Sequence, residues 1–272
     1  MRYLMRYLTI IITVLSVSVC VNGCKPATVQ GSSEAESPDV TPVVSIEVDT
    51  KDISDEAVPS PLPDNKEKDE ELPGNENEAP RFTAEEISDE VFERMRGVSF
   101  PEDCPVKLSD LRYLRLSYKD MEGNTHEGEM VCNAAIADKL IDIFTKLYEN
   151  DYPIERMSLV DDYNADDELS MSANNTSCFN FRYISGTKKI SKHGEGLAVD
   201  LNPLYNPYVK EKDGTIHVEP ESGAAYTDRT LDFDYKIDEN DLAYKLFTEA
   251  GFTWGGSWKS VKDYQHFEYD PK

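Results

Sequence analysis

Basic residues are scarce in this chain. Lys and Arg number 28 against 53 Asp and Glu, for a formal net charge of −25. That balance excludes a nucleic-acid partner, because phosphate binding needs a basic surface. Cysteine is sparse too: Cys20 and Cys24 lie near the start, and only Cys104, Cys132 and Cys178 follow. Their spacing matches no zinc motif, and three thiols allow at most one disulfide. Long apolar runs are missing except for Leu8 to Val21, which is too short to span a membrane comfortably. No internal repeat is present.

The single apolar run follows Arg2 and Arg6, the pattern of an export signal. It ends in Val21-Asn22-Gly23-Cys24, which resembles a bacterial lipobox. That resemblance implies a signal peptide over 1–23 and lipidation at Cys24. The expected location is the outer face of the cytoplasmic membrane, or the periplasmic side of a Gram-negative envelope. Residues 24–91 read as a disordered acidic linker. Between Lys25 and Glu86 there are 17 acidic residues, 5 basic residues and 8 of the 15 prolines, and no aromatic residue precedes Phe82. Such a segment buries too little apolar surface to offset its ordering entropy. As a tether it spans on the order of 50 Å.

From residue 92 to 272 the composition is that of a folded domain, well supplied with aromatics. Tyr113 to Tyr118 alternates as a strand, Glu122-Gly123-Asn124 makes a turn, and Glu129 to Cys132 returns. Asn133 suits an N-cap. Ile136, Leu140, Ile143, Phe144 and Leu147 then recur at helical spacing, which predicts a helix over 134–149. A second helix is expected over 241–250, closed by Gly251, and a last strand over 265–269. Short strands beside separate helices indicate an α+β domain, a small antiparallel sheet with flanking helices.

The chemistry is concentrated in two stretches. Ser191-Lys192-His193-Gly194-Glu195-Gly196-Leu197-Ala198-Val199-Asp200 places a His seven residues before an Asp, with two glycines to turn the chain. Asp263-Tyr264-Gln265-His266-Phe267-Glu268 supplies a second His with an acid three residues before it. Catalytic zinc takes three protein ligands and keeps one open position. Imidazoles and a carboxylate are its usual nitrogen and oxygen donors.

Read in full, these residues resemble the zinc D-alanyl-D-alanine carboxypeptidases and their relatives, the L-alanyl-D-glutamate endolysins. Ser191, His193, Gly196, Ala198, Asp200, Asp263, His266, Phe267 and Glu268 fall in the order of that family's motifs. Phe179 to Arg182, Ser185-Gly186 and Asn202 to Tyr208 agree as well. The resemblance spans about residues 105 to 270 and implies the metallopeptidase (hedgehog-like) fold. It implies Zn2+ held by His193, Asp200 and His266, with Asp263 as general base. It also implies Arg182 as a catalytic and substrate-binding cation, and Ser191 is the second expected substrate-binding residue, as a hydrogen-bond donor. The implied substrates are peptidoglycan stem peptides. The carboxypeptidases often carry Glu at the position of Asp263, which here is closer to the endolysin branch. The bond cleaved therefore stays open between a D-Ala-D-Ala end and a stem or cross-link.

Other readings of the same residues stand beside these. Arg182 also suits a structural ion pair, and Ser191 a turn or cap. Trp254 and Trp258 suit either a substrate cleft or the core. Glu195 fits a solvated loop or a partner behind a metal ligand, Glu268 fits a partner that orients a ligand His or a cap of the last strand, and Asp263 also suits a helix or turn cap. His126 and His217 read as surface residues. The competing functions are a cell-wall-binding lipoprotein that keeps the fold without catalysis, and a zinc peptidase for another exported peptide.

Overall fold

In the computed structural model, residues 79–184 and 186–271 are described. The signal peptide, Cys24 and most of the acidic linker lie outside the described residues. Among the described residues no helix is long and apolar enough to cross a membrane.

The elements run β1 (Phe82–Glu85), α1 (Asp89–Met95), β2 (Leu111–Lys119), β3 (Thr125–Asn133), α2 (Ala134–Glu149) and α3 (Asp167–Ser172). Then follow β4 (Ala198–Asp200), β5 (Tyr208–Lys212), β6 (Thr215–Glu219), α4 (Leu242–Glu249), β7 (Thr253–Trp254), β8 (Lys262–Asp263) and β9 (His266–Glu268). This is an α+β chain, as expected. The strands, however, form three small antiparallel sheets rather than one, in the orders β1-β2-β3, β4-β9-β7 and β6-β5-β8.

The domain starts earlier than residue 92. β1 pairs with β2 in the register Phe82↔Leu116 to Glu85↔Tyr113. Helix α1 is capped by Ser88, whose side chain accepts from the Val91 N–H, and it buries Val91 and Met95. A few apolar positions at the end of the acidic run, Phe82 and Val91 among them, are enough to dock that segment on the sheet.

Helix α2 follows its pattern closely. Asn133 accepts from the Ala135 N–H, and Ile136, Leu140, Ile143, Phe144 and Leu147 are buried. These pack on Leu114, Leu116 and Met130 of the first sheet in one core. Each large side chain removed from water contributes roughly 1.5–3 kcal/mol. Phe144 also meets Phe247 of α4 edge-on at 6.3 Å, and Phe247 stacks on Phe267 of β9 at 4.3 Å. The core thus runs from the first sheet through α2 and α4 to the sheet that carries β4 and β9.

Candidate metal centre

β4 and β9 pair with Asp200 directly opposite His266, Val199 opposite Phe267 and Ala198 opposite Glu268. Side chains alternate along a strand. Val199 and Phe267 therefore enter the core, both fully buried, while Asp200, His266 and Glu268 share the other face.

His193 reaches this face from the loop before β4. The loop turns tightly, with Gly196 N–H donating to the His193 carbonyl at 2.9 Å and Leu197 N–H to Lys192 at 2.8 Å. Gly196 has φ +67, and a Cβ there would lie 2.8 Å from the Asn133 nitrogen. Only glycine suits both demands. The loop is tied to the cap of α2, since Asn133 N–H donates to Gly196 O at 2.8 Å and Asn133 Nδ2 to Glu195 O at 3.1 Å.

His193, Asp200 and His266 each offer a ligand atom, and these atoms lie within 4.8 Å of one another. His193 Nε2 is 3.2 Å from Asp200 Oδ2 and 3.1 Å from His266 Nδ1. His266 Nδ1 is 3.1 Å from Asp200 Oδ1. Each imidazole is also held from behind: His193 Nδ1 by the Cys178 carbonyl at 2.8 Å, and His266 Nε2 by Glu268 Oε2 at 3.3 Å. Tautomers that donate to those rear acceptors leave lone pairs on both inward nitrogens. With the Asp200 carboxylate, three electron-rich groups then face one point, an arrangement that calls for a proton or a cation. The set fits a metal ion, and its rear partners are of the kind that orient metal-bound histidines.

Burial would depress the His266 pKa, but Asp200, Glu268 and Asp263 outweigh it and raise it to about 10. Asp200 is buried, yet His193 and His266 hold its carboxyl well below the usual carboxylate range. Asp263 behaves oppositely. Burial pushes it up to about 7; His266 and Arg182 oppose the rise and Asp200 adds to it. Its Oδ1 is sealed from solvent and has no hydrogen-bond partner among the described residues. A Cβ on Gly255 would lie 2.8 Å from the Asp263 Cβ and 3.3 Å from that of His266, so glycine leaves room for both residues to approach.

The remaining candidates divide cleanly. Arg182 is half-buried, pairs with Asp167 and donates from Nη1 to Ser191 Oγ at 2.8 Å. Ser191 is buried, and its hydroxyl oxygen also accepts the Gly194 N–H at 2.9 Å, so it braces the His193 turn. Trp258 lies against the His266 ring at 5.3 Å. Trp254 is buried in the core, with Nε1 donating to Tyr264 O. Glu195 faces Lys192 rather than the cluster. His217 is exposed, whereas His126 is partly buried and bonded to Asp120 at 2.8 Å. Cys104, Cys132 and Cys178 are free thiols. The Cys178 carbonyl and Asp167 belong to the site but to no motif; a main-chain acceptor and an isolated surface-type acid leave no pattern in a sequence.

The family model for D-alanyl-D-alanine carboxypeptidase matches residues 185–269. That stretch holds His193, Asp200, Asp263 and His266. The match supports a peptidase of the metallopeptidase class acting on cell-wall peptides. No curated protein and no solved structure matches the chain.

Proposed function

We propose that this chain is a zinc-dependent peptidase that hydrolyses peptidoglycan stem peptides, as a D-alanyl-D-alanine carboxypeptidase or a related cell-wall endopeptidase. The observation that carries the reading is the convergence of His193, Asp200 and His266, each imidazole braced from behind, beside a buried carboxyl oxygen of Asp263 that no other group among the described residues uses. Zinc is the metal that suits two imidazoles and one carboxylate with room for a further ligand. Held there, it supplies Lewis acidity, polarising a carbonyl and lowering the pKa of water.

The chain's own residues do the rest. Asp263, with a carboxyl titrating near neutrality, takes a proton from the attacking water and returns it to the leaving amine. Arg182 meets a substrate carboxylate or the developing oxyanion, for which a planar and permanently charged fork is suited. Glu268 and the Cys178 carbonyl hold the two imidazoles in their working orientation. The intact ligand set and the unpaired acid favour catalysis over a binding lipoprotein that has lost it. In the same reading Cys24 carries the lipid, and the acidic linker holds the domain away from the membrane; Cys24→Ser then abolishes incorporation of labelled fatty acid.

The test of the mechanism pairs metal content with single-turnover cleavage of a stem peptide. The parent should hold about one zinc per chain, the number a three-ligand site takes. Asp263→Asn should keep that zinc while hydrolysis falls by roughly two orders of magnitude or more. Cleavage at the parental rate would remove Asp263 as base, and loss of zinc would move it into the ligand set. The products identify the bond: free D-Ala for a carboxypeptidase, split stems or cross-links for an endopeptidase.

A further inference from the structure

Among the described residues Asp167 is the one carboxylate bound to the site's arginine, and the proposed chemistry does not use it. One of its oxygens takes the Arg182 Nε–H, and the other accepts from Asn180 Nδ2 at 2.8 Å. Asn180 is buried and doubly anchored: its backbone N–H donates to the His193 carbonyl at 3.2 Å and its side-chain amide to Ala165 O at 3.0 Å. On the far side of the guanidinium, Nη1 is held by Ser191. Both holds therefore lead back to the loop that carries His193. Nη2 makes no hydrogen bond among the described residues, and the arginine side chain keeps 37% exposure, so this edge is reachable from solvent.

We infer that Asp167, seated on Asn180, is a positioning residue that fixes the Arg182 guanidinium with its Nη2 edge free for a substrate oxygen. This rests on the peptidase reading of the site. The physical reason is conformational. An arginine stem has several rotatable bonds, and a guanidinium held in advance loses less entropy when substrate arrives.

The experiment is a double-mutant cycle in the full chain with a stem-peptide substrate, metal content being measured throughout. Asp167→Ala should keep the zinc and lower kcat/KM about tenfold or more. Added to Arg182→Ala, it should lower kcat/KM less than about twofold further, because it acts through that side chain. The Arg182 Nε–H resonance, slow to exchange in the parent, should become fast-exchanging in Asp167→Ala, while Asp167→Glu restores part of both the resonance and the rate. An active chain whose Asp167→Ala variant keeps kcat/KM, or whose loss recurs undiminished without Arg182, overturns this inference alone. So does an Nε–H unchanged in Asp167→Ala. An unmodified chain that holds zinc yet neither binds nor cleaves the peptide overturns the peptidase reading and this inference with it.

Discussion

Replacing Gly196 with alanine should destabilise the fold by about 3 kcal/mol, and the structure indicates where that sum arises. A left-handed backbone costs an L-residue about 1–2 kcal/mol, and Gly196 has φ +67. The new Cβ would then stand 2.8 Å from the Asn133 nitrogen and 3.2 Å from the Cys132 carbonyl carbon. Both are main-chain atoms, so neither can swing aside. Relief requires the loop to lift off α2, which breaks the bonds from Asn133 to Gly196 O and Glu195 O, at about 1 kcal/mol each. Gly123→Ala is the control, since Gly123 has φ +84 but nothing within 4 Å of the new methyl. It should show the conformational part alone. Urea unfolding of the full chain, followed by tryptophan fluorescence, gives both values. A chelator should be present, because bound metal would mask part of the loss. If Gly196→Ala is no more harmful than Gly123→Ala, the contact with the α2 cap does not constrain the loop and the argument fails.

Glu268→Gln keeps the size of the side chain but removes the charge behind His266 Nε2; metal affinity should weaken by roughly 10–100-fold with the fold retained, read by competition with a chromophoric chelator, and an unchanged affinity would strip Glu268 of its orienting role. Emptying the site should be complete in His193→Ala and His266→Ala, and full zinc occupancy in either would refute the ligand set. A pH effect is expected at Glu129. Burial raises its carboxyl pKa, but hydrogen bonds from Arg94 and Tyr113 outweigh burial and hold it below the usual range. The folded value lies under the unfolded one, so the stabilisation is complete above the ordinary Glu range and is lost as pH falls through the folded value. Between about pH 5 and about pH 3 the Tm of the parent should fall more steeply than that of Glu129→Gln; parallel slopes would remove Glu129 from the acid response.

Helix α2 was legible almost to the residue, because Asn133 caps it and its apolar side chains repeat with the helical period over four turns. The two stretches that build the His-Asp-His cluster were legible through their residue types, and the structure brings His193, Asp200 and His266 together. What stayed hidden depends on context. Phe82–Glu85 lies at the end of an acid-rich run, and its strand exists because β2 offers an edge. The β5–β6 hairpin reads Tyr-Val-Lys-Glu-Lys and Thr-Ile-His-Val-Glu, and its mostly exposed residues follow no burial pattern that would announce it. Trp254 and Trp258, four residues apart, were equivalent in sequence. Only packing sends one to the core and the other to His266.

Under the proposed zinc-dependent reading, the pairing of β4 with β9 makes metal uptake a check on strand alignment. Each strand has three residues, so their own hydrogen bonds discriminate weakly between registers. A slip of one position would set Phe267 against Asp200 and turn His266 into the core, since one residue reverses every side chain. A cation that needs both donors binds only the aligned arrangement, and its binding energy accrues to that arrangement alone. Availability of zinc while the chain folds should therefore affect the yield of correctly aligned protein as well as its later activity. The last segment of the chain, which carries β9, would be the part whose alignment depends most on the ion.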